Sequence, residues 1–134
     1  MHSMVDERIR KEELAEKEMN RRFFADTLQG VFVDVRANEP VSIFSQTWHL
    51  EQRGRTGILV EPFEPLHREC VKKRPGSRSF QVACSSPDKI GTAELKVPYV
   101  AGKIDTGKAA LETDLDHGGF EGCQAQKVEV TTLR

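Results

Sequence analysis

The chain has 134 residues, of which 31% are charged and 37% apolar, with a formal net charge of −1. That is enough for one domain with a modest core and too little for two. The charge balance gives no general attraction for nucleic acid or an anionic membrane, and no apolar run approaches a membrane span.

Cys70, Cys84 and Cys123 are odd in number, far apart and without a CxxC pair, and the four histidines are scattered. This spacing predicts reduced, structural thiols and no metal site. The first residues, Met1-His-Ser-Met-Val-Asp-Glu-Arg8, lack the apolar core of a signal peptide, so a cytoplasmic location is expected.

Residues 4–29 read as a helix, with residues 1–22 a charged extension and 23–134 the domain. Opposite charges stand four apart at Asp6/Arg10, Glu7/Lys11, Glu13/Lys17 and Glu18/Arg22, each pair favourable on a helix surface. Only Val5, Ile9 and Leu14 offer burial in the first half. Phe24 and Leu28 share a face in the second, and Gly30 provides a stop. One reading makes the first half a partner-binding or lid helix. The plainer one is a solvated extension whose last turns cover a sheet.

Val31–Val35 is apolar except for Asp34, the pattern of a strand buried on both faces in a parallel sheet. A carboxylate near its C-terminal end needs a partner, either turn amides or the ammonium or hydroxyl groups of a ligand. Ser42–Arg53 reads as a helix with Ile43, Thr47 and Leu50 on one face, extended by Phe44 and Trp48, and Gly54 as its stop. Gly57–Val60 is a second buried strand, followed by Glu61 and Pro62. Pro65 opens another helix with Leu66, Cys70 and Val71 inward. Lys72, Lys73 and Arg74 crowd its C-terminal end, where the helix dipole favours cations. Arg78–Cys84 alternates and gives a third strand, completing β-α-β-α-β with right-handed crossovers.

Beyond a turn at 85–91, Ala93–Tyr99 alternates as a strand ending near Pro98. Residues 101–126 hold five glycines and read as a loop with one helical turn near Lys108–Asp114. Lys127–Leu133 is a last short strand. The expected class is α/β, a Rossmann-like half-sheet of β-α-β-α-β plus further short strands.

Asp34 and Glu61 end consecutive parallel strands, 27 positions apart. In a doubly wound sheet both reach one crevice. An acid after the second strand can accept hydrogen bonds from both ribose hydroxyls. The chain lacks both G-x-G-x-x-G and G-x-x-x-x-G-K-[ST], so neither a dinucleotide fold nor a phosphate cradle is indicated. A nucleoside ligand without pyrophosphate needs neither, and S-adenosylmethionine is one. The plainer roles are a helix-capping or turn-stabilising acid for Asp34 and a solvated strand end for Glu61.

Val31-Phe-Val-Asp-Val-Arg-Ala-Asn38, Ser45-Gln-Thr-Trp-His-Leu-Glu51, Gly57-Ile-Leu-Val-Glu-Pro62 and Ala83-Cys-Ser-Ser-Pro-Asp88, in that order and spacing, resemble the FkbM-type methyltransferases. Val128-Glu-Val-Thr-Thr-Leu133 resembles the short strand before the later half of that domain. The resemblance spans about residues 23–133 and covers an N-terminal part of the family domain. It implies a class I, S-adenosylmethionine-dependent fold and methyl transfer, mostly to a hydroxyl of a small molecule or sugar. It also implies that Asp34 sits at the methionine end of the cofactor and that Arg36, Ala37 and Asn38 line it with backbone. Glu61 would hold the ribose with Pro62 beside it, and Ser85 would lie near the adenine.

Arg36 stands where the family pattern has Gly. Gly tolerates positive φ and close approach of a ligand, whereas Arg adds a long, obstructing side chain at the pocket mouth. The chain ends before the family's fourth strand and its further acidic motif, so no catalytic residue is assigned. His49 and His67 fall within predicted helices and read as packing or surface residues. An open edge at Val31–Val35 predicts self-association. Two other readings stand beside the enzyme: a truncated, non-catalytic fragment serving as a folding or association unit, and a small α/β module for another nucleoside.

Overall fold

Residues 2–24, 30–42, 45–111 and 122–133 are described by a computed structural model of the chain. The class is α/β, with mixed sheets and helices. No helix is long and apolar enough to cross a membrane among the described residues.

Helix α1 spans His2–Phe23. Its surface carries Glu7–Lys11 at 3.6 Å and Glu18–Arg22 at 3.0 Å, with Arg8–Glu12 and Glu18–Arg21 added. Glu13 instead accepts from the Gln46 side chain. The helix ends at Phe23, and residues 25–29 of the expected span of 4–29 lie outside the described residues. The carbonyl of Phe24 is taken by the Arg55 guanidinium at 3.1 Å, and that guanidinium also lies 4.9 Å from the Phe24 ring centroid. Leu28, Ile43 and Phe44 lie outside the described residues.

Strands β1 (Val31–Val35), β2 (Thr56–Val60) and β3 (Ser77–Phe80) form a parallel sheet in the order β1-β2-β3, with Val33 beside Ile58 and Val60 beside Phe80. Helices α2 (Trp48–Gln52) and α3 (Glu64–Lys73) connect them. The period-2 alternation of strand side chains puts Phe32 and Leu59 on one face, packed with Cys70 of α3. The Phe32 ring lies over Gly57, where any Cβ would strike it.

The opposite face is open. Val31 is 74% exposed, Val33 52% and Phe80 43%. The expectation of a β1 buried on both faces is therefore wrong: described helices pack on one side only, and β1 pairs with β2 alone among the described residues.

Helix α2 begins at Trp48 rather than Ser42. Ser45 Oγ accepts from the Trp48 amide, and the Arg74 guanidinium holds Pro40 O, Ser45 Oγ and Thr47 Oγ1 ahead of the helix. Val71 is 55% exposed rather than inward, because the buried stripe of α3 passes through Leu66 and Cys70.

The predicted third strand is two pieces. β3 ends with β2, its last neighbour, and the chain then crosses to pair β4 (Ala83–Cys84) with β8 (Cys123–Thr131). A second sheet runs β4-β8-β5-β6, with β5 spanning Gly91–Val100 and β6 Lys103–Ile104, and β7 (Ala110–Leu111) also pairs with β5. β5 passes through Pro98, which needs no donor there; its carbonyl accepts from the Asp105 amide at 2.9 Å. Ala101 and Gly102 both take positive φ (51° and 73°), the two-residue turn that matches the twist of a hairpin. Residues 101–111 are thus more ordered than the loop reading allowed, with a helical turn at Thr106–Lys108; residues 112–114 of the turn expected near Lys108–Asp114 lie outside the described residues. The last strand starts at Cys123, ahead of Lys127, because it pairs along β5 from Pro98 to Gly91.

The second sheet buries Leu95, Val97, Val128 and Val130 against Phe63 and Leu66. Gln126 of β8 ties the sheets together: its Nε2 donates to Pro62 O at 2.8 Å, and its Oε1 accepts from the Glu64 amide at 2.9 Å. That amide is one of the free donors at the start of α3.

Candidate functional site

Parallel strands deliver their C-terminal ends to one side of a sheet, and here the chain after β1 wraps over the end of β2. The Arg36 and Ala37 amides both donate to Val60 O, at 2.8 and 3.1 Å. The Asn38 amide donates to Glu61 Oε2 at 2.7 Å. This path requires φ of 63° at Arg36 and 51° at Asn38. Asn tolerates that region, while Arg there costs about 1–2 kcal/mol relative to a relaxed backbone.

Glu61 is 5% exposed. Its two oxygens accept from the Asn38 amide and, at 3.0 Å, from the Phe63 amide. Burial raises its pKa above the usual carboxylate range, and those two amides and Arg36 hold it back. Glu61 is therefore no solvated strand end, and it keeps acceptor capacity for further donors.

Asp34 is half-buried and takes the Thr47 hydroxyl at 2.6 Å on Oδ2. Thr47 Oγ1 in turn accepts from Arg74 at 3.1 Å. Arg74 is fully buried, pairs with Glu51 at 2.6 Å and lies 5.6 and 5.4 Å from the Phe32 and Trp48 ring centroids. It is a core ion pair, not the dipole-favoured surface cation expected from its place after α3. A fixed guanidinium thus holds the hydroxyl that holds Asp34.

Two chambers open at these strand ends. The first, about 360 Å³, is lined by Glu13, Asp34, Ala37, Glu39 and Gln46, among others. The second, about 240 Å³, is lined by Glu61, Pro62, Ala83, Leu95 and Ala110, among others. Val35, Arg36, Asn38 and Thr106 border both. Six of the predicted site residues, Asp34, Arg36, Ala37, Asn38, Glu61 and Pro62, therefore come together. Ser85 lines neither chamber; its amide donates to Thr131 O at 2.9 Å, beyond β4. The first chamber sets three carboxylates, Glu13, Asp34 and Glu39, against one guanidinium, Arg36, which favours a cationic ligand group. The second is largely apolar around Glu61, as a flat base with a ribose would need.

Sequence reasoning missed Glu13, Gln46 and Thr106 as wall residues. Glu13 sits in a charged helix read as solvated, and Thr106 in a segment read as loop. The Glu13 carboxylate, four residues from Lys17, was the only local signal.

His49 is half-buried, and neither ring nitrogen has a hydrogen-bond partner. Burial and the nearby Lys17, Arg53, Arg55 and Arg21 lower its pKa, which favours the neutral ring. Burial pushes the Cys70 thiol up to about 11, which makes it unreactive. Among the described residues no group of His, Cys, Asp and Glu side chains converges as a metal site. Comparison of the chain with family models, curated proteins and solved structures gives no match.

Proposed function

We propose that this chain carries the S-adenosylmethionine-binding crevice of a Rossmann-like, FkbM-type class I methyltransferase, serving methyl transfer to a hydroxyl of a small molecule or sugar. The observation that carries this reading is buried Glu61, beside the β1 turn, held by the Asn38 amide and lining the second chamber. The residues fit the cofactor's chemistry. The acidic first chamber suits an ammonium and a sulfonium, and Glu61 suits a pair of ribose hydroxyls. When bound, S-adenosylmethionine supplies an electrophilic methyl on a sulfonium.

The chain's own residues bind and orient. Asp34, steadied by Thr47 and Arg74, meets the cationic end; Glu61 meets the ribose; and the apolar wall of the second chamber excludes water from the base. Catalysis on such a site is mainly positioning and desolvation. The test is calorimetric titration with S-adenosylmethionine. Glu61→Gln replaces one acceptor oxygen by a donor facing the Asn38 or Phe63 amide. It is expected to weaken binding roughly ten- to a hundredfold, the loss of one charge-assisted hydrogen bond of about 1.5–3 kcal/mol. Equal affinity in a folded variant would remove Glu61 from the site.

A second reading, a non-catalytic association unit, is favoured by the exposed apolar face at Val31, Val33 and Phe80 and by the edge of β1, which has no strand partner among the described residues.

A further inference from the structure

The two chambers are separated by a strap made from one turn and one segment facing it. Arg36 Nη2 donates to Gly107 O at 3.1 Å and to Ala109 O at 3.0 Å. Thr106 Oγ1 donates to Asn38 Oδ1 at 3.1 Å. The Asp105 side chain accepts from the Gly107 amide and fixes the turn that presents those carbonyls. Arg36 and Asn38 hold their side chains there at positive φ, 63° and 51°. The strap residues Arg36, Asn38 and Thr106 are the shared wall of both chambers. Small-molecule sites usually run to about 300–1,000 Å³. The larger chamber sits at the low end of that range and the smaller below it, whereas the joined crevice would fall well inside it.

We infer that this strap is a specificity-determining device that filters ligands by length. The second chamber, with Glu61, accepts a bare nucleoside while the strap is closed. A nucleoside carrying an aminoacyl tail must cross the wall into the acidic first chamber, and it does so only when Arg36 gives up the Gly107 and Ala109 carbonyls. Arg36 is exposed, so water can replace those carbonyls on opening and the strap is reversible. The inference rests on the nucleoside reading above.

Adenosine and S-adenosylmethionine share the nucleoside and differ in the tail. Both are titrated calorimetrically into the intact chain, Arg36→Gly and Thr106→Val, with folding checked by circular dichroism. Arg36→Gly removes the guanidinium and suits the positive φ. The filter predicts that it raises S-adenosylmethionine affinity by at least about tenfold relative to adenosine, whose own affinity reports the part of the change that the tail does not cause. Thr106→Val cuts only the contact to Asn38 and should move S-adenosylmethionine affinity the same way by less. It decides the matter alone if Arg36→Gly does not fold. A parallel change for both ligands, or no gain for S-adenosylmethionine in a folded variant, overturns the filter. Adenosine binding without that gain leaves the nucleoside reading standing; binding of neither ligand by any of the three proteins overturns both.

Discussion

Glu61 is the residue on which the chemistry turns. A buried carboxylate with a raised pKa binds its proton more tightly in the folded than in the unfolded chain. Its ionised form therefore costs stability above the folded pKa, and that cost disappears below the unfolded one. Ribose hydroxyls donate best to the ionised form, so protonation weakens their binding. Nucleoside affinity should fall as pH drops below neutral, earlier than an ordinary carboxylate would require. Calorimetry across that range checks this, and the fall should be absent in Glu61→Gln. That Asp34 and Glu61 lie at neighbouring strand ends was legible, because each stands at the end of a short apolar run; that each lines its own chamber was not. That Arg74 would be fully buried was not. Its position after Lys72 and Lys73 has the pattern of a surface helix end, and only the three-dimensional meeting of Glu51, Thr47 and two aromatic rings accounts for its burial.

Elements were legible where periodicity and local signals agree, as in β1, β2 and α3. They were misjudged where a distant partner decides. Arg74 holds Pro40 O and Thr47 ahead of α2, and β8 pairs with β4, which does not join β3. The open face of β1 has the same origin, since the sequence of a buried strand does not say whether anything covers it. Edge strands presenting Val at alternate positions without Lys or Pro invite pairing. The intact chain should self-associate with concentration in sedimentation velocity, and Val33→Lys should weaken that association by at least about tenfold. A monomer at all concentrations would remove the association reading. The β1–β2 pairing should survive the substitution, because Val33 points away from the Phe32 and Leu59 packing.

At the scale of the whole molecule, two sheets meet through Phe63, Gln126 and the 105–111 segment, and the crevice lies where they meet the β1 turn. The three-stranded sheet supplies the acids, while the β5–β8 sheet supplies the apolar wall and the strap carbonyls. The central claim is that a nucleoside binds in this crevice against Glu61. An amide-resolved NMR titration of the isotope-labelled chain with adenosine tests it most directly. The account predicts saturable shifts at the Asn38 and Phe63 amides, the two that donate to Glu61, with Gly57 and Ser77, paired at the other end of the three-stranded sheet, unmoved. Saturating adenosine that leaves Asn38 and Phe63 in place would contradict it.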